Sequence, residues 1–178
     1  MALGKRHDAP NITPLVKIDV RTGKITRCDR EQSDGRWTTK NVDIPPDDFE
    51  MIPDLANVEI GWMTFSGGRP NFKLVRAGAD IGEPPDDGKD YKEGFKLRLL
   101  LINGAGSDVR ELTSTSKVLW ASLDELHDSY LEDVTKHRGK LPVVSISEIV
   151  QVQTASGTFY RPAFEITSWR SRPSELVK

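Results

Sequence analysis

A chain of 178 residues, 37% of them hydrophobic and 29% charged, has room for one domain with a sizeable core and is too apolar for a disordered segment. Its formal charge of -2 excludes a uniformly basic chain, although cations gathered on one surface are compatible with that mean. The single cysteine, Cys28, excludes an internal disulfide. No run reaches the roughly 18 apolar residues of a membrane span, and no apolar segment follows Lys5, Arg6 and Asp8, so a cytoplasmic protein without a secretory signal is expected.

Residues 1–13 contain Gly4, Pro10 and Asn11 with no apolar period, and are expected to form a flexible tail ahead of one domain over 14–178. Residues 15–25 alternate through Val16, Ile18 and Val20 and turn at Thr22 and Gly23, which reads as a small hairpin. Residues 28–46 are polar, are broken by Gly35 and the Pro45, Pro46 pair, and read as a loop whose lone Trp37 folds back onto the core. Residues 58–65 (VEIGWMTF) read as a strand, with Gly61 marking a bend. A turn from Ser66 to Pro70 then leads to a second strand over 72–76. The Gly, Pro and Asp content of residues 77–90 predicts a long acidic surface loop whose spacing fits no EF-hand.

In residues 95–102 (FKLRLLLI), Phe95, Leu97, Leu99 and Leu101 alternate with Lys96 and Arg98, the pattern of a half-buried strand. A Gly104 to Gly106 loop follows, with a short extended segment at 109–112. The period then changes. Leu119, Leu123, Leu126, Tyr130 and Val134 recur at steps of three and four, which predicts an amphipathic helix. Ser122 with Glu125 has capping-box spacing, Ser114 and Ser116 offer an earlier start, and Gly139 suits the stop. Residues 139–169 complete the pattern with two long strands. The first is rich in Val and Ile, the turn is Ala155, Ser156 and Gly157, and the return run sets Tyr160, Pro162, Phe164 and Ile166 against Phe159, Arg161, Glu165, Thr167 and Trp169.

The resulting order, β-β-β-α-β-β after an extra N-terminal hairpin, predicts a mainly β protein with one helix. It matches an OB-fold-like, five-stranded Greek-key barrel. A sandwich, or an α+β sheet covered by one helix, can be written with nearly the same string.

The residues give catalysis little to work with. His127 and His137 are ten apart on one helix, unlike the i, i+4 spacing of a zinc-binding helix. The chain has no phosphate-binding glycine loop, no dinucleotide fingerprint and no nucleophile elbow, and its adjacent acids Asp47, Asp48 and Asp86, Asp87 fall in loops. A non-enzymatic protein with no metal and no cofactor is expected. Binding has better material. Single-stranded nucleic acid needs cations for its phosphates and flat rings for its bases. Lys73, Arg76, Lys96, Arg98 and Arg161 supply the first, joined by Arg69 in the hairpin turn; Phe159, Trp169 and Trp62 supply the second. Lys73 and Arg76 have opposite parity and point apart in a regular strand. The competing expectation is a structural or protein-interaction domain, such as a virion or assembly component, using the same aromatics as protein anchors.

GKLPVV, the turn at Gly157, FYRPAFEI and the closing Trp169, Arg170, Ser171, Arg172, Pro173 run resemble the C-terminal half of small phage and prophage OB-fold single-stranded DNA-binding proteins. The likeness covers about the last forty residues. It implies a replication or recombination accessory in a bacterial cytoplasm that coats unwound DNA without cutting it. Such proteins often end in an acidic tail that recruits replication or recombination partners, whereas this chain ends SELVK, which leaves the acidic segment Asp80 to Asp90 as the substitute. The oligomeric state is left open.

Overall fold

The computed structural model describes residues 13–66, 70–102 and 109–177. The expected tail, apart from residue 13, lies outside these, as do most of the turn carrying Arg69 and the Gly104 to Gly106 loop. The fold is mainly β with one helix: β1 (Leu15–Asp19), β2 (Lys24–Ser33), β3 (Arg36–Ile44), β4 (Glu50–Pro53), β5 (Glu59–Thr64), β6 (Asn71–Arg76), β7 (Lys92–Leu101), β8 (Val109–Ser114), α1 (Lys117–Asp133), β9 (Lys140–Thr154) and β10 (Gly157–Ser171). The ten strands among the described residues exceed the five and a hairpin expected.

The strands form one open, mixed sheet in the order β10-β9-β4-β7-β8-β1-β2-β3, with β5 pairing both β7 and β6. Among the described residues only the β1 and β8 pairing is parallel. β7 organises it. One edge of β7 pairs β8 through residues 95–100; the other takes β5 at Lys92 to Lys96 and β4 at Leu99 to Leu101. A 3-10 turn, Leu55–Asn57, separates β4 from β5, so the two act as one bent strand along that edge. The far parts of the sheet meet where the Tyr160 N–H donates to the Val20 carbonyl at 2.7 Å. Gly23 lets them approach: its φ is +76°, and a Cβ there would stand 2.9 Å from Ile149 Cγ2.

The alternation in β7 has the expected result. Phe95, Leu97, Leu99 and Leu101 enter the main core with Val16, Ile25, Met51, Leu112, Val144 and Ile146. The helical stripe Leu119, Leu123, Leu126 and Tyr130 covers that core, each burial contributing roughly 1.5–3 kcal/mol. On the opposite side of β7, Leu100 joins Ile52, Leu141, Val143 and Leu176 in a smaller cluster.

Three readings need correction, and of the alternative helix starts one is realised. Residues 28–46 are not a loop: they complete β2 and form β3, which pair from Ile25 with Ile44 to Ser33 with Arg36 as a long arm. Trp37 does not fold back; it is 52% exposed on that arm. The helix starts from Ser116, whose Oγ accepts the Leu119 N–H at 3.3 Å, while Ser122 is buried in the helix interior. It stops at Asp133, ahead of a 3-10 turn, Val134–Lys136, and Gly139 at φ +71° turns the chain towards β9 rather than capping α1 directly.

Candidate nucleic-acid interface

Strand register decides which of the expected contact residues share a surface, because paired residues project to the same side of a sheet. Lys96 lies opposite Glu59 on β5 and Thr113 on β8. Glu59 in turn lies opposite Arg76 on β6, and Arg98 lies opposite Glu111 on β8. Arg76, Lys96 and Arg98 therefore occupy one face, turned away from Phe95 and Leu97. Glu59 and Glu111 interrupt it. Lys96 Nζ stands 3.5 Å from Glu111 Oε1, a loose pair with both side chains partly in water.

Lys73 and Trp62 lie opposite each other on β6 and β5 and belong to the other side of that hairpin. The segment after β6 engages both: Trp62 Nε1 donates to the Gly82 carbonyl at 3.0 Å and Lys73 Nζ to the Glu83 carbonyl at 2.9 Å. These residues hold the acidic loop against the sheet. In the same loop the Tyr91 hydroxyl donates to Asp87 at 2.7 Å, which holds that carboxyl below its ordinary range.

The third group lies on β10. Pairing skips Ser147 of β9 between Ala163 and Phe164 and skips Thr167 of β10 between Ile166 and Ser168, so only the second shift breaks the alternation of this strand. Phe164 and Ile166 pack on the main core by alternation, and the extra residue Thr167 brings Trp169 to the same side. Trp169 stacks on His137 with centroids 4.3 Å apart and an 8° interplanar angle, and on Tyr130 of α1 at 5.9 Å. Burial raises the Tyr130 phenol above its ordinary value. Arg161 reaches Glu125 of α1, Nη2 to Oε1 at 2.9 Å, and its Nη1 is buried with no hydrogen-bond partner. Phe159 is half-buried and lines a cavity with Ile18, Val20, Lys117 and Val118. Trp169 and Arg161 thus tie β10 to the helix and are not on the Lys96 and Arg98 face. The single track expected from the sequence is three separate groups, with Arg69 outside the described residues.

A further pair of residues lies on the arm. On the β2 and β3 arm, the Arg30 guanidinium stands 5.6 Å from the centroid of the Trp37 ring, close enough for a cation–π contact. The row from Arg98 through Glu111 on β8 and Leu15 on β1 reaches Cys28 on β2. Arg30, two residues on, projects to the same side as Cys28, and so does Trp37, opposite Gln32. An exposed Trp with an Arg beside it is the signal available in the sequence, but only once both strands of the arm are recognised.

Among the described residues no three His, Cys, Asp or Glu side chains cluster as metal ligands, and no helix is long and apolar enough to cross a membrane. No protein-family model, curated protein or solved structure matches the chain.

Proposed function

We propose that this protein is a non-enzymatic, single-stranded DNA-binding protein on an OB-like barrel, consistent with the phage and prophage resemblance of its last forty residues. Connectivity supports the barrel reading. The bent β4 and β5 strand, then β7, then β8, then α1, then β9 and β10, reproduce the five-strand order, with the helix between the third and fourth strands. The first pairs with the fourth, β4 with β9, as a Greek key requires. β1 is inserted where the third and fifth strands of such a barrel would meet, parallel to β8 and joined to β10 through Val20 and Tyr160. β6 and the β2 and β3 arm are additions to that plan.

The observation that carries the function is the position of Lys96 and Arg98 on the outward face of β7 beside β8. In the barrel reading these are the second and third strands, the face on which OB-folds bind oligonucleotides. Arg76 extends the cations across β5 and β6. Phosphates compete with Glu111 for Lys96, and at 3.5 Å that pair gives way readily. The acidic loop held by Trp62 and Lys73 is the candidate surface for a replication or recombination partner.

The test is Lys96→Ala and Arg98→Ala, singly and together, titrated with a labelled oligo(dT). Removing a cation that neutralises one phosphate weakens binding and lowers the salt slope by about 0.7. Unchanged affinity and slope in the double variant would remove this face from the account.

A second reading, a structural or assembly component, is favoured by one observation: β3 ends the sheet order with β2 as its partner, and its outer edge offers backbone groups to another chain. Association that survives high salt would favour it.

A further inference from the structure

We infer that the β2 and β3 arm is part of the DNA interface and that Trp37 is its base-stacking platform, with Arg30 holding the ring. This rests on the single-stranded DNA reading and assigns it the ring that Trp169 does not supply. The four tryptophans sort by what already occupies them. Trp169 is stacked between His137 and Tyr130, Trp120 packs edge-on against Phe95 at 6.1 Å, and Trp62 is bonded to Gly82. Trp37 alone among them is an exposed large hydrophobic, 52% in solvent, with Arg30 beside it.

One further observation favours a nucleic acid as occupant. Arg36 and Lys40, although exposed on the arm, alternate with Trp37 and project to its other face, so the cations available to phosphates flanking a stacked base are Arg30 and, farther along the sheet, Arg98. The arm continues the face that bears Arg98: three strand spacings, roughly 14 Å along the sheet, separate β7 from β2. An oligonucleotide of a few residues spans that distance. The ring is presented from a fixed base, because Arg110 Nη2 binds Asp29 Oδ1 at 2.6 Å and Arg110 Nη1 lies 3.4 Å from the Cys28 carbonyl. A base landing on Trp37 therefore meets an ordered strand, which lowers the entropy lost on binding.

The experiment compares the full chain with Trp37→Ala and Trp37→Phe by anisotropy of labelled oligo(dT) at low salt, with tryptophan emission recorded in parallel. Trp37→Ala is expected to weaken binding between about 5-fold and 150-fold and to remove most of the emission quench, while Trp37→Phe keeps most of the affinity. Wild-type affinity and quench in Trp37→Ala would overturn the stacking role and leave the DNA-binding reading standing. A wild-type chain that binds no oligo(dT) would overturn both. Unchanged DNA affinity with altered sedimentation in Trp37→Ala would assign the arm to contact between protein chains, and that too overturns the inference.

Discussion

Arg110, its side chain only 4% exposed, places a guanidinium nitrogen 2.6 Å from the carboxylate of Asp29, joining β8 to the base of the arm across 81 residues of sequence. Arg27 holds the other carboxylate oxygen at 2.9 Å. A cation this deep needs its partner, because an unpaired charge in the interior costs several kcal/mol. Arg110→Ala leaves Asp29 with Arg27, whereas Asp29→Ala leaves Arg110 buried without a carboxylate. Asp29→Ala is expected to lower stability by roughly 3 kcal/mol and Arg110→Ala by less, measured by urea unfolding.

The same pair gives a pH dependence. Burial pushes the Asp29 carboxyl up, but Arg110 and Arg27 together outweigh it and hold it below its ordinary 3.8. A carboxyl with a depressed folded value contributes stability that is present above its unfolded value and is lost as pH falls through the folded one. Thermal unfolding should therefore show wild type losing stability below about pH 4. Asp29→Asn, already less stable at neutral pH, should lose correspondingly less over that window. Parallel acid profiles for the two proteins would contradict this assignment.

Gly94 and Gly61 face each other across β7 and β5, and each has the backbone of its other neighbouring strand, β8 or β6, where a Cβ would go. A Cβ on Gly94 would stand 2.6 Å from the Ser114 carbonyl and 2.7 Å from Met63 Sδ, and one on Gly61 would overlap the Lys73 carbonyl. Backbone moves less readily than a side chain, so Gly94→Ala should cost at least about 2 kcal/mol. A denaturant midpoint equal to wild type would show that the sheet relaxes there.

Trp169 and Arg161 are expected to behave as structural residues. Trp169→Ala removes the stack on His137 and Tyr130 and should cost roughly 3 kcal/mol. Under conditions where it is folded, its affinity for oligo(dT) should match wild type. Arg161→Ala breaks the ion pair with Glu125 and should likewise spare DNA binding. Selective loss of affinity in either, with stability kept, would return β10 to the interface.

Helix N-capping supplies a smaller test. Ser116→Ala should destabilise the protein by about 1 kcal/mol, and Ser114→Ala, whose hydroxyl bonds only the Ser116 N–H, by less.

The parts of the fold legible in the sequence are those with one wet and one dry face. β7 alternates Phe95, Leu97, Leu99 and Leu101 with cations, and α1 repeats its leucines at helical spacing, so each announces its period. The arm does not, because from Asp29 to Lys40 almost every side chain is at least partly exposed and neither face is apolar. β4 is four residues long, buried at three of them, and ends in Pro53, which reads as a break rather than a strand. Trp169 departs from expectation for another reason: Thr167 is an extra residue in β10 that turns Trp169 to the side of Phe164 and Ile166, and nothing in residues 163–168 marks it. Pairing register, which no single strand encodes, also separated Lys73 from Lys96.

The proposed role is tested most directly by titrating the intact protein with a labelled oligo(dT) at about 50 mM and about 200 mM salt. If cations on β7 and the arm hold the phosphates, binding is measurable at the lower salt, and the logarithm of the affinity falls by about 0.7 per neutralised phosphate for each tenfold rise in salt. No binding at the lower salt, or an affinity indifferent to salt, contradicts the account.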